Sequence, residues 1–287
     1  MAANKNIYAI YLLIFFVPVS YSQTVSYSPA YFGPNANPVP EFSNATIPAL
    51  TTIQLSESYF FGFGDNTSNI TFSAEVPLLP ERVSLKAWFA TFENYRVTQA
   101  VYDERSMEGN ELSGAASGDF YVQARTLVLL EKKFAPSIIL NSTLKTASGT
   151  NFGQRRYFDT PGYYFDMEIG KSFLLKSKLI SEVRMVANFG FLCWETTNST
   201  QNDAPMYGGK IILSNRFFDF ESTLSGYYGW ITNGDAPLVY SAKLNFKPTK
   251  FNLFVQYQYG LCDFPYRHIL AGIAFRISKL TPQYKFG

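Results

Sequence analysis

Apolar side chains occupy every second position in about ten segments between residues 83 and 277, and nearly all charged side chains occupy the alternate positions. In the segment 120–131, Arg125 and Glu131 share one face of the pattern, whereas the other face carries apolar side chains such as Val128. Because the side chains of a β-strand alternate between two faces, the pattern predicts strands with one apolar and one polar face. A membrane β-barrel is built from such strands, since one face meets lipid and the other a wet lumen.

Twelve strands are predicted from residue 51 onward, and most have the ~9 to 11 residues that a tilted strand needs to cross a bilayer. They cover residues 51–63, 67–77, 82–93, 119–132, 136–147, 161–171, 178–193, 205–217, 219–231, 237–247, 249–261 and 266–278. Short and longer connections alternate along the chain, which is typical of outer-membrane barrels and places both chain ends in the periplasm. Glu57, on the lipid-facing side, is an exception to the pattern. We therefore predict an all-β fold, a transmembrane antiparallel β-barrel of about twelve strands in the bacterial outer membrane.

The composition agrees with a membrane barrel. Aromatic residues make up 17% and charged residues 16% of the chain, and the charged share is below the roughly 25% of an average soluble domain. The many Tyr and Phe side chains suit the aromatic girdles at the two membrane interfaces. A formal net charge of +2 gives no reason to expect a nucleic-acid partner, so outer-membrane lipid and a small solute are the expected partners. A secreted β-sandwich is the alternative fold.

The N-terminal part divides into two segments. Residues 1–22 are predicted to be a cleaved signal peptide, with Lys5 at the positive start, a short apolar run and Ser20-Tyr21-Ser22 as the cleavage pattern. Residues 23–50 contain five prolines, which lack amide donors and disfavour regular strand pairing. We expect this segment to be a periplasmic arm that lies free or meets a partner, with threading of the lumen as the alternative. The barrel domain then spans residues 51–287.

Three runs of sequence carry a resemblance to known families. Ser28-Pro-Ala-Tyr-Phe-Gly-Pro-Asn-Ala36 and Pro161-Gly-Tyr-Tyr-Phe-Asp166 resemble outer-membrane barrels of Bacteroidota. Gly118-Asp-Phe-Tyr121, which leads into a strand, resembles the barrel family linked with phenol meta-pathway gene clusters. These resemblances imply a fold and a location, and they bring no catalytic or binding motif to this chain.

Inward-facing positions carry charges of both signs with a slight basic excess. The candidates for a lumen selectivity site are Lys86, Arg125, Lys145, Glu182, Arg184, Lys210, Glu221, Lys243 and Arg276. Arg125 and Arg184 lie mid-strand and are the predicted central cations, with Glu182 as the nearest counter-charge. A charged lumen favours porin-like passive transport of a small polar or weakly anionic solute. The alternatives are a closed barrel filled by paired charges, and a non-conducting structural or adhesin barrel or subunit of an outer-membrane complex.

Two further features bear on the lumen. Inward aromatic side chains are predicted to pack the lumen, and stacking on a ring-bearing solute is the less favoured alternative. These side chains are Trp88, Phe92, Tyr121, Tyr164, Tyr227 and Phe254. The long acidic loop 94–118 could form a helical turn that folds inward as a constriction, or remain a solvated surface loop.

Enzymatic chemistry is not expected. The single histidine, His268, is followed by Ile269 and Leu270, whereas outer-membrane phospholipases place a nucleophilic serine two residues after the histidine. We predict that His268 is hydrogen-bonded to a neighbour, Asp263 being one candidate. No Cys/His cluster is present, so neither a metal nor a cofactor is predicted. Cys193 and Cys262 lie on strands four apart in order, which favours thiols over a disulfide.

Overall fold

The structure, a computed structural model, describes residues 28–177, 179–194, 203–247 and 251–282. Most of this described part is β-structure. The strands are β1 (Thr51–Phe61), β2 (Asp65–Leu79), β3 (Val83–Val97), β4 (Ser113–Ala116), β5 (Tyr121–Leu129), β6 (Ser137–Lys145), β7 (Gly162–Leu174), β8 (Glu182–Trp194), β9 (Asp203–Ser214), β10 (Phe218–Tyr227), β11 (Leu238–Phe246), β12 (Phe251–Cys262) and β13 (Arg267–Ile277). One α-helix, α1 (Gln99–Glu104), and two 3-10 turns, Pro29–Tyr31 and Ser278–Leu280, accompany them. Within the described ranges, no helix has the length and hydrophobicity required for a membrane crossing.

The first strand closes the sheet into a barrel. β1 pairs with β2 on one side and with β13 on the other, and the register of the β1–β13 seam runs from Thr51 opposite Ile277 to Phe61 opposite Arg267. The remaining barrel strands pair antiparallel in chain order, and β3 pairs with β5. The short β4 pairs only with the C-terminal end of β3, so it is not one of the twelve barrel strands. The predicted antiparallel barrel of twelve strands is confirmed.

The two ends of the barrel differ in the length of their connections. The short turns, such as 80–82 and 215–217, lie at the same end as Thr51 and Ile277, and the long loops lie at the other end. In outer-membrane barrels, the short turns are periplasmic and the long loops are extracellular. The two ends are therefore the periplasmic and the extracellular end.

Alternation along the strands separates lipid-facing from lumen-facing side chains. In β6, Asn141, Thr143 and Lys145 are buried in the interior, whereas Leu140 and Leu144 are exposed on the outer surface. Leucine, isoleucine, valine and phenylalanine dominate the exposed positions of the other strands as well. The outer surface thus forms the apolar belt that the hydrocarbon core of a bilayer requires.

A β-bulge shifts the alternation in β3. Ile70 lies opposite Phe92, but the next pair skips Thr91. Because one extra residue moves every later side chain to the opposite face, Phe92 is exposed on the outer surface, and Glu93 and Tyr95 are buried inside. The prediction of Phe92 as an inward aromatic residue was therefore wrong.

Glu57 is a carboxylate on the lipid-facing side near the middle of β1, with Ile70 and Ala271 as its strand neighbours. Replacing Glu57 with leucine should raise the free energy of unfolding by about 1 kcal/mol, because a charged group on the lipid face is unfavourable near the bilayer midplane. Urea unfolding of the protein in lipid vesicles would measure this change. Asn66→Leu, an exposed position at the extracellular end of β2, is the control, and an unchanged or lower midpoint for Glu57→Leu would contradict the prediction.

The N-terminal arm lies inside the barrel. In its described part, residues 28–50, the side chains of Phe32, Ala36, Phe42 and Ala45 are buried. The sequence favoured a periplasmic arm over residues 23–50, and the described part differs from that expectation because inward charged side chains bind its backbone. Residues 23–27 and the predicted signal peptide lie outside the described residues.

Candidate functional site

The arm is held by one side of the lumen, where β7 and β8 supply opposite charges. The carboxylate of Glu168 accepts hydrogen bonds from the backbone N–H groups of Ser43, at 2.8 Å, and Ala45, at 2.9 Å. The guanidinium of Arg184 donates to the backbone oxygens of Asn44, at 2.7 Å, and Ala45, at 3.1 Å. The two side chains satisfy donors and acceptors that an irregular segment cannot pair by itself.

Two further lumen cations reach the same stretch of the arm. Lys210 Nζ donates to the backbone oxygen of Phe42 at 2.7 Å and to Asn44 Oδ1 at 3.1 Å. Arg125 Nη2 donates to the backbone oxygen of Thr46 at 3.1 Å. The term anchor wall denotes the four side chains Arg125, Glu168, Arg184 and Lys210. Three of the predicted selectivity residues, Arg125, Arg184 and Lys210, therefore belong to the anchor wall.

The counter-charges on the anchor wall differ from those expected. Arg184 Nη1 lies 2.6 Å from Glu131 Oε2, whereas Glu182 accepts a hydrogen bond from Ser172 Oγ. The prediction that Glu182 is the nearest counter-charge of Arg184 was wrong, because Glu131, at the turn-side end of the neighbouring hairpin, points to the same guanidinium. Arg125 pairs with Glu75 at 2.8 Å and with Glu168 at 3.4 Å.

A polar cavity of about 560 Å³ lies beside the arm in the periplasmic half of the lumen. Charged side chains of both signs line it, namely Glu41, Glu75, Lys86, Arg125, Lys210, Glu221, Lys243 and Arg276. Lys243 Nζ lies 4.6 Å from the centre of the Phe254 ring. Among the described residues, Lys243 and Arg276 form no ion pair within 4 Å. These two cations, unlike those of the anchor wall, face the cavity without a bound carboxylate.

A second cavity of about 220 Å³ lies in the extracellular half. The two cavities share five lining residues, Glu41, Gln54, Lys86, Ser225 and Gln258, so they adjoin beside the arm. At this junction, Glu41 of the arm accepts hydrogen bonds from Gln256 at 2.9 Å and from Gln258 at 3.0 Å. Glu41 therefore lies where the two cavities adjoin. This position of Glu41 could not be predicted from the sequence, because the arm was not expected in the lumen.

A buried ionic cluster joins loop residues to strand residues at the extracellular end. Arg156, from the loop between β6 and β7, pairs with Asp65 at 2.9 Å and Glu93 at 2.7 Å, and Arg105, which follows α1, pairs with Asp65 at 2.6 Å. Burial alone would lower the pKa of Arg156, but Glu93 and Asp65 hold that pKa above its usual value. The loop 94–118 thus turns a basic side chain inward, while its acidic residues stay exposed.

Two other predicted selectivity residues, Lys145 and Glu221, bind neighbouring side chains. Lys145 pairs with the buried Asp119 at 2.7 Å, near the extracellular end of β6, and lines neither cavity. Burial raises the pKa of the Asp119 carboxyl, although Lys145 acts in the opposite direction. Glu221 accepts from Asn245 at 2.7 Å and from Asn44 of the arm at 3.3 Å.

Among the described residues, neither His268 nor the two cysteines forms part of a catalytic arrangement of side chains. His268 Nδ1 lies 2.8 Å from Gln258 Oε1, and the imidazole stacks on the Phe60 ring, whereas Asp263 accepts from the backbone of a neighbouring loop. Cys193 is buried and Cys262 exposed, and no disulfide joins them. Across the described ranges, no three His, Cys, Asp or Glu side chains form a metal-binding group. The absence of enzymatic activity stays a prediction.

Comparison with known proteins shows the fold. Neither a protein-family model nor a curated protein matches the chain. An outer-membrane channel from Pseudomonas putida F1 superposes with a TM-score of 0.60 over 84% of this chain and 100% of that chain, at 10% identity. The NanC porin superposes with a TM-score of 0.51 over 78% of this chain and 100% of that chain, at 8% identity. With its apolar belt and closed seam, this chain is a twelve-stranded β-barrel of the bacterial outer membrane.

Proposed function

We propose that the barrel is a narrow diffusion channel for a small polar or weakly anionic solute. The observation that carries the proposal is the pair of adjoining cavities, which follows the arm through both halves of the lumen. The anchor wall holds the arm to one side, so space remains along the inward faces of the first two and last three strands. The solved channel and porin barrels that share the fold are consistent with this role.

The open side of the lumen has the chemistry of a permeation path. Its first two strands present short uncharged polar side chains, and these are Gln54, Ser56, Ser58, Asn69, Thr71 and Ser73. Lys243 and Arg276 add positive charge at the periplasmic end, and Glu41 adds a carboxylate at the junction of the two cavities. Rings of polar and charged side chains set solute preference when binding is weak enough to allow release.

Single-channel recording of the refolded protein in a planar bilayer tests the proposal directly. Discrete conductance steps with a stable reversal potential under a salt gradient are expected. The absence of conductance steps from protein that is folded and inserted would contradict the channel proposal. It would favour the second candidate, a non-conducting barrel. That candidate is supported by the arm itself, because residues 28–50 fill much of the lumen. Kinship with Bacteroidota barrels or with the phenol meta-pathway family stays a prediction.

Neutralising the two opposite charges beside the path should move ion preference in opposite directions. Glu41→Gln should shift the permeability ratio towards anions and Lys243→Gln towards cations, each by roughly twofold, because a unit charge a few ångströms from a wet path is partly screened. Reversal potentials under a salt gradient measure both shifts.

Lys133→Gln is the matched control for these variants, since Lys133 is exposed in the periplasmic turn between β5 and β6 and lies outside the lumen. Its reversal potential should equal that of the parent protein. Equal potentials for all three variants would show that ions do not pass between Glu41 and Lys243.

A further inference from the structure

The extracellular cavity has two chemically different walls. Five large rings form one side and are contributed by Trp88, Tyr121, Tyr157, Tyr164 and Trp194. Hydroxyl and amide side chains predominate on the other side, which also includes the rings of Phe60 and Phe264. These polar side chains are contributed by Asn35, Ser56, Ser58, Asn69, Thr71, Ser73 and Gln258. A molecule that matches both walls has a flat apolar face and a rim of several hydrogen-bonding groups. Aromatic rings pack against such faces, and hydroxyls both donate and accept.

The charged groups at this cavity are already engaged. Asp119 pairs with Lys145 at 2.7 Å. Lys86 forms no ion pair within 4 Å in the described chain, but its ammonium group lies 5.0 Å from the centre of the Trp88 ring, a cation–π contact. Glu41 accepts from two glutamine amides. A charged ligand would have to displace one of these contacts, so the cavity suits a neutral ligand.

The buried polar atoms of cavity-lining residues that lack a hydrogen-bond partner in the described chain include the Tyr121 hydroxyl and His268 Nε2. Both residues are buried, with only 6% of the surface of Tyr121 and 5% of that of His268 exposed. Gln258 donates its amide N–H to Glu41, so its oxygen faces His268 and receives the Nδ1 proton. In the neutral imidazole, Nε2 is then an acceptor. Unsatisfied buried polar groups are rare, and a ligand is one way in which they are satisfied.

The cavity volume limits the size of the ligand. An apolar cavity of roughly 150 Å³ holds benzene, so about 220 Å³ holds a molecule somewhat larger than one six-membered ring. We propose that this cavity binds a neutral, ring-shaped, polyhydroxylated solute of monosaccharide size. The inference names the solute class of the channel proposed above and rests on that function.

Tryptophan fluorescence can report binding without any measurement of conductance. Trp88 and Trp194 line the cavity, whereas Trp230 is 66% exposed, so the Trp230→Phe protein emits only from the site. Titration of this protein in detergent with D-xylose or D-glucose should give a saturable change in emission. Tyr121→Phe in the same background should weaken binding by about three- to tenfold, the usual effect of one lost hydrogen bond. The hydroxyl has no partner in the described chain, so its removal should leave the fold intact.

Tyr257→Phe is the control, because Tyr257 is 40% exposed on the outer surface of β12 and should leave sugar affinity unchanged. No saturable change with either sugar, or equal affinities for the Tyr121→Phe and parental proteins, would overturn the inference. Saturation by phenol or acetate but by neither sugar would also overturn it. A binding signal from a barrel that is silent in bilayers would contradict the channel while retaining the site, so the two failures are distinguishable.

Discussion

Replacing Arg156 with alanine is expected to lower the free energy of unfolding by about 3–5 kcal/mol, because removal of one member of a buried ionic cluster leaves its partners uncompensated. Arg156 is fully buried and binds Asp65, Glu93 and Thr67 at 2.9, 2.7 and 2.7 Å. Arg105 still compensates Asp65 in the variant, so Glu93 carries most of the loss. Urea unfolding of the refolded protein, followed by tryptophan fluorescence, measures the change.

Arg96→Ala is the matched control for this stability measurement. Arg96 lies on β3 close to Glu93, but its side chain is exposed on the outer surface. Its replacement should change the free energy of unfolding by no more than about 0.5 kcal/mol. Equal unfolding midpoints for Arg156→Ala and Arg96→Ala would show that the cluster does not stabilise the extracellular end.

Replacing both Glu168 and Arg184 with alanine should release the arm and increase single-channel conductance by at least roughly twofold, since a wider path conducts more ions. The double variant removes the acceptors for the N–H groups of Ser43 and Ala45 and the donors to the oxygens of Asn44 and Ala45. Limited proteolysis should then cut within residues 33–47, which the anchored arm protects. Conductance and mass spectrometry of the fragments measure the two effects.

Glu182→Ala is the control for arm release. Glu182 points inward on the same strand as Arg184 but accepts a hydrogen bond from Ser172 rather than from the arm. Its replacement should leave conductance and protease resistance unchanged. Parental conductance and an uncut arm in the double variant would contradict the prediction and show that the remaining contacts of the arm, such as those of Lys210 and Glu41, suffice to hold it.

Periodicity predicts the barrel strands well because the membrane imposes it. Each strand has one face in lipid and the other in the lumen, so polarity alternates with every residue. The predicted strand 136–147 and the observed β6 (Ser137–Lys145) differ only at their ends. Ends are harder to predict because the polar and aromatic residues of the membrane interface suit strands and turns equally.

The lumen could not be predicted in the same way. Arg125, Arg184 and Lys210 are identified as inward cations by their positions on strands, but an arm anchor and a pore charge have the same local pattern. Their roles depend on a segment more than 70 residues away that has no periodicity of its own. The bulge at Thr91 likewise has no local signature, and it alone decides which residues of β3 join the extracellular cluster.

The path of the arm has a consequence for the order of assembly. The residues that hold it are distant in sequence: Ser43 is 125 positions from Glu168, Asn44 is 140 from Arg184 and Glu41 is 215 from Gln256. The contact with Glu168 requires the first six barrel strands, and the contact with Gln256 requires β12. Contacts between residues so distant in sequence form slowly. We therefore expect the arm to dock after β1 and β13 have paired. Residues 28–50 are synthesised before the barrel strands, yet they reach their native position last.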